Sequence, residues 1–324
     1  IQADTDVWLE YAGEKGIHGA ILSYLSLKKE NFYMVENTVD GKFFVTARGW
    51  EDLSEILKSY EELQVEIGEE LIGEFLQKEK IARDFAGYYR LYEKYKSDYQ
   101  IQEILDGNVI SGQLKTCCDM GKKASFEERF TVTEMLLEAV TERISVFQKI
   151  DEKTEKLYEN LKLLKIFLQE KNSVEAMEQF VASRRKALDA KICSELLTAE
   201  EAAREEEQIR ILEEYFFQLK ELHISDVAEG IEQIGERFGN VCRLRNEKLE
   251  ETKKMLEQAF SFLEECFGEG QELLLFETGL TGDDRCSIFI SQYGCPSYFK
   301  HCELLLYSKK ENELRKECRD LLEE

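Results

Sequence analysis

From Phe126 onward the hydrophobic positions recur at alternating spacings of four and three: Phe126, Phe130, Thr133, Leu137, Val140, Ile144 and Phe147. This near-heptad keeps one helical seam turned toward a partner helix. Asp151 and Thr154 interrupt the seam, and Leu157, Leu161, Leu164 and Leu168 resume it in shifted phase. The pattern returns with Ile209, Leu212, Phe216 and Leu219, and again with Leu249, Thr252, Leu256, Phe260, Leu263 and Phe267. Three or four long helices in an antiparallel, coiled-coil-like bundle over 126–267 account for it.

The first eighty residues carry shorter signals. They predict a helix near Asp4 to Gly13, a second near Ile17 to Leu27, a β-hairpin and a third helix. Val39-Asp40-Gly41-Lys42 lies between "FYMVE" and "FFVTA", and Asp-Gly supplies the positive φ of tight hairpin turns. Thr46 is placed to cap the next helix, in which Trp50, Leu53, Ile56, Leu57 and Tyr60 form a core-facing stripe. Helical pattern continues from about Glu69 to Leu105, including the tyrosine-rich "DFAGYYRLYEKYKSDY". In an acidic chain those rings read as core and interface rather than a base-stacking platform. Gly107, Gly112 and Gly121 mark 107–125 as a linker. After Gly268 short apolar runs alternate with glycines, which reads as a C-terminal cap over 268–324 ending in a charged helix from about Lys309. The expected organisation is therefore 1–80 as a helical subdomain with hairpin, 81–125 as helix and linker, 126–267 as bundle and 268–324 as cap, mainly α throughout.

Composition narrows the function classes. The net charge of −24 argues against a general phosphate- or lipid-tracking surface, so neither nucleic acid nor membrane is an expected partner. The single proline, Pro296, fits long uninterrupted helices. Nine cysteines without a C-x-x-C pair, in a chain with no secretory signal, suggest reduced thiols and a cytoplasmic protein. The chain opens on Ile1 and is helical almost at once, from which a fragment of a longer protein is expected. The acidic run "TAEEAAREEE" reads as the solvated start of a helix.

Catalytic chemistry is sparse. The sequence holds no phosphate loop, G-x-S-x-G elbow or H-E-x-x-H pair, and its three histidines, His18, His223 and His301, are far apart. Cys286, Cys295, His301 and Cys302, with Cys266, form the nearest thing to a zinc set, but their irregular spacing favours free thiols and no metal. Cys117-Cys118 reads likewise as ordinary thiols. Carboxylate pairs such as Glu61 and Glu62 read as solvated faces.

One stretch stands apart, "FVTARGWEDLSEIL", with Arg48 in the first turn of a helix, where the macrodipole disfavours a cation. Glu51 or Asp52 could compensate it, as could an external anion. Thr46-Ala47-Arg48-Gly49-Trp50 resembles the Thr/Ser-Pro-Arg-x-Trp stretch that opens a lid helix in MoxR-type AAA+ ATPases, with Ala47 in place of the usual proline. The preceding "DVWLEYAGEKGIHGAILSYLSLKKENFY" is similar to the lid helices of that group. The later part of the chain looks like the C-terminal extension of some bacterial MoxR-type proteins. The resemblance implies that Arg48 is a sensor-2-like residue contacting ATP phosphates. It also implies that ATP and Mg belong to the intact protein, whose missing AAA+ core would precede Ile1 and whose assembly would be a homo-oligomeric ring. By the same resemblance the partners are proteins, a von Willebrand A-domain protein among them, and this chain alone binds no cofactor and hydrolyses nothing. The alternative expectation is a stand-alone helical scaffold or adaptor.

Overall fold

A computed structural model describes residues 4–38, 41–107 and 111–302. Among them are thirteen α-helices, one 3-10 turn and one two-stranded antiparallel sheet, so the fold is mainly α with a single hairpin. The contacts group the chain into two compact units, one formed by 1–142 with 254–324 and the other by 143–253. Where the sequence pattern sets boundaries near 80, 125 and 267, this grouping places 254–324 with the N-terminal segment.

The first unit begins with α1 (Thr5–Glu14) and α2 (Gly19–Leu27), followed by β1 (Met34–Thr38) and β2 (Gly41–Val45). The strands pair in register Met34↔Val45 through Thr38↔Gly41. Asp40, the residue on which the turn expectation rests, lies outside the described residues. Helix α3 (Ala47–Glu62) starts at Thr46, whose hydroxyl accepts from the Gly49 amide at 3.2 Å. Its stripe buries Trp50, Leu53 and Leu57 completely. The Trp50 indole donates to the Phe32 carbonyl at 3.0 Å and meets Phe85 edge-on at 5.3 Å, while Tyr24 packs edge-on against Phe85 at 5.2 Å.

The stretch expected as one helical run to Leu105 is three helices: α4 (Glu69–Phe75), α5 (Glu79–Tyr99) and α6 (Ile101–Asp106). Gln100, at φ 51°, makes the last break. Such left-handed backbone ends a helix because the next carbonyls no longer align. Tyr89, Tyr92 and Tyr99 of α5 are buried, as core rings should be.

The linker expected over 107–125 is a correction. Helix α7 (Ser111–Gly121) occupies most of it, with Cys117 and Cys118 buried. Gly107 turns the chain at φ 68°. Gly121 serves packing instead: a Cβ there would stand 2.9 Å from the Phe267 ring.

Helix α8 (Phe126–Lys171) runs 46 residues without a break. It is followed by α9 (Ala176–Cys193), α10 (Ala199–Glu221) and α11 (Val227–Phe267). The expected interruption at Asp151 is a polar step in a continuous seam. Arg245 donates to Asp151 from Nε at 2.7 Å and lies 5.4 Å from the Phe147 ring. Within 143–253 the core gathers Leu164, Leu168, Met177, Leu188, Leu212 and Leu219. The acidic run opens α10 through a reciprocal capping box of Thr198 and Glu201. Its Glu205 and Glu206 pair with Lys191 and Arg185 of α9. Beyond Gly268 the expected short runs are helices, α12 (Gln271–Gly282) and α13 (Asp284–Tyr293); the charged helix expected from Lys309 lies outside the described residues.

Candidate functional site

Arg48 stands in the first turn of α3, held there by the Thr46 cap. Its side chain is 80% exposed and reaches Asp52 one turn on, with Nε 2.9 Å from Oδ1. Of the compensating groups the sequence allows, this structure uses the intrahelical acid. The Asp52 hydrogen bond comes first among the influences that raise the guanidinium's pKa, so Arg48 is a permanent cation. Gly49 serves packing. A Cβ on Gly49 would sit 2.8 Å from the Phe75 carbonyl oxygen, so α3 passes against the end of α4 at a point where only hydrogen fits.

A second constellation surrounds His18, which caps α2. Its Nδ1 accepts from the Ala20 amide at 3.1 Å and its own amide donates to Ser54 Oγ at 2.9 Å. With Nδ1 engaged as acceptor, the ring proton resides on Nε2, which donates to Glu61 Oε1 at 2.8 Å. Tyr89 donates to the same oxygen at 3.1 Å and Lys96 to Oε2 at 3.2 Å. Burial alone would raise the Glu61 pKa, but the His18 hydrogen bond and the Lys96 charge outweigh it and hold the carboxylate well below its usual range. Both His18 nitrogens are occupied, so the ring positions neighbours and has no lone pair left for a general base.

Behind it, Tyr92 donates to Glu138 Oε2 at 3.1 Å. That oxygen lies so close to Gly19 that a Cβ there would come within 1.7 Å of it. Glu138 is exposed at its surface, and desolvation by the protein around it pushes its carboxyl pKa up. One turn earlier, burial and the Glu138 charge push Glu134 up to about 7. Glu61, which the sequence pattern places on a solvated face, is instead engaged by His18, Tyr89 and Lys96. His18 before "GAIL" is a cap signal, but nothing in a chain with sixty-seven acids distinguishes Glu61 or Glu138.

The zinc candidates go to separate partners. Cys286 Sγ is 3.5 Å from Thr141 Oγ1, Cys295 Sγ donates to Glu257 at 3.3 Å, and His301 Nε2 meets Glu264 at 2.5 Å while stacking on Phe260. Cys302 is half-buried. Among the described residues no group of three or more His, Cys, Asp or Glu is placed to hold a metal ion. Burial pushes the Cys286 and Cys295 thiols up to about 12, leaving them neutral at ordinary pH. Cys266 turns instead toward Cys118 at 2.8 Å.

No helix among the described residues is long and apolar enough to cross a membrane. No family model, curated protein or solved structure matches the chain.

Proposed function

We propose that this chain is the lid and C-terminal helical region of a MoxR-type AAA+ ATPase, with Arg48 meeting the nucleotide's phosphates in the intact protein. The observation that carries the reading is the exposed guanidinium in the first turn of a capped helix, tethered along its own helix to Asp52. A phosphate offers that guanidinium stronger, bidentate charge-assisted hydrogen bonds than an exposed carboxylate does. Phosphate contact would then draw Arg48 off Asp52 and tie α3, with its aromatic core, to the nucleotide. ATP and Mg belong to the missing core, which supplies the chemistry, and the chain alone neither binds ATP tightly nor hydrolyses it. The acidic helices present a surface to protein partners, a von Willebrand A-domain protein or a remodelling substrate, and the intact protein forms a homo-oligomeric ring.

The test is ATP turnover by the full-length protein carrying Arg48→Ala. The expected result is a marked loss of turnover with an unchanged thermal midpoint. Unchanged turnover overturns the phosphate role, as does robust hydrolysis by residues 1–324 alone. A scaffold or adaptor is the second reading, favoured by large exposed apolar side chains such as Leu163, Ile166 and Phe217. Coding sequence upstream of Ile1 separates the two, since a phosphate loop followed by a Walker B acid supports the ATPase and a nearby start codon supports the adaptor.

A further inference from the structure

Cys118 on α7 and Cys266 in the last turn of α11 are 148 positions apart in sequence, both are buried, and their sulfurs stand 2.8 Å apart. That separation is well inside the van der Waals distance of two sulfurs and longer than the ~2.05 Å of a disulfide. The approach is built by the backbone. Gly121, one turn beyond Cys118, lets α7 close on α11 so tightly that an added Cβ would meet the Phe267 ring at 2.9 Å and the Cys266 Cβ at 3.6 Å. Around the pair, Cys117 turns its sulfur toward the Asp98 and Tyr99 carbonyls at 3.7 and 3.9 Å, and Tyr99 meets Phe262 edge-on. Cys117 is thus turned toward the end of α5, and Cys118 is the member of the adjacent pair that faces α11.

We propose that Cys118 and Cys266 are an oxidation site that closes to a disulfide under hydroperoxide. One sulfur, as thiolate, attacks the peroxide oxygen; an S–O bond forms, the O–O bond breaks and an alcohol or water leaves. The second sulfur then attacks the resulting sulfenic acid, an S–S bond forms and water departs. Two thiols lose two electrons and two protons, and the peroxide is reduced by two electrons. Burial raises the Cys266 thiol's pKa first, with the Cys118 contact adding to it, so closure quickens as pH rises. The bond joins the two chain segments of the first unit. Residues 143–253 then lie inside a covalent ring, and α7 cannot separate from the end of α11 even if the intervening sequence unfolds.

The experiment treats the reduced chain with hydrogen peroxide and maps disulfides in the unreduced digest. Expected is a link between the peptide carrying Cys118 and the peptide carrying Cys266, loss of two hydrogens in the intact mass, and a higher thermal midpoint that dithiothreitol reverses. Cys117→Ser should leave the link intact and assign it to Cys118; Cys118→Ser and Cys266→Ser should abolish it. A link between Cys117 and Cys118, a link surviving in Cys266→Ser, or oxidation of exposed Cys193 with the buried pair untouched each overturns the proposal. The wild-type map decides even if a variant fails to fold.

Discussion

His18 donates from Nε2 to Glu61 at 2.8 Å, tying the cap of α2 to the last turn of α3 across forty-three residues of sequence. The bond fixes one tautomer, and that tautomer also serves Ala20. It follows that Glu61 is bound as the ion, with Tyr89 and Lys96 also donating to it. Its folded pKa is lowered from 4.5, so the stability it contributes is fully present above the unfolded pKa and is lost as pH falls through the folded one. Glu61→Gln should therefore destabilise the protein by about 1–3 kcal/mol at neutral pH, with the difference shrinking below pH 4.5. Urea denaturation as a function of pH reads it; an unchanged acid limb in the variant would refute the assignment.

Glu134 predicts the opposite sign. Its folded pKa, about 7, is above the 4.5 of the unfolded chain. Between those values the folded state holds a proton that the unfolded state has released, so stability falls as pH rises through the window. Glu134→Gln removes the penalty. Allowing for the solvent that still reaches this side chain, the gain at pH 8 is on the order of 1–2 kcal/mol, vanishing below pH ~4. Equal stabilisation at pH 4 and pH 8 would show that the gain is not electrostatic.

Two glycines contact different kinds of atom, and the substitutions should differ accordingly. At Gly19 the added methyl meets the tip of Glu138, a flexible side chain that can swing away at the loss of its hydrogen bond from Tyr92. At Gly49 it meets the Phe75 carbonyl, which is backbone. Gly49→Ala should cost roughly 1–3 kcal/mol by overpacking, despite the better helix propensity of alanine, and Gly19→Ala roughly 1 or less. Thermal unfolding of the two variants side by side tests the order; a reversed order would sink it.

What the sequence discloses here follows from range. Thr46 and Trp50 lie within one helical turn of each other, and cap chemistry plus the 3,4 spacing place α3 correctly. The seam of α8 is legible for the same reason. Gly121 misleads because glycine serves turns and close approaches alike, and only the partner, here Phe267, tells them apart. Asp151 misleads because its partner Arg245 is 94 positions away. The His18 network and the Cys118–Cys266 pair are assembled from single residues on separate helices, with no local spacing to announce them. Arg48 is the exception: a cation in a first turn is a local anomaly, and it is visible without any structure.

The Asp151–Arg245 pair permits a sharper test, because it replaces hydrophobic contact in an otherwise apolar seam. Both side chains are largely covered, at 30% and 20% exposed, and the guanidinium also lies against Phe147. Removing one partner leaves the other charge half-buried and short of this counter-ion, whereas replacing both by leucine puts apolar contact in place of the charged step. Asp151→Leu alone should cost about 1–3 kcal/mol in the stability of 143–253, and Arg245→Leu a similar amount. The double variant should be close to wild type or more stable, giving a coupling energy of about 1–3 kcal/mol. Additive losses in the double-mutant cycle would mean that the pair contributes no specific interaction and that the polar step at Asp151 is held by the surrounding helix packing alone.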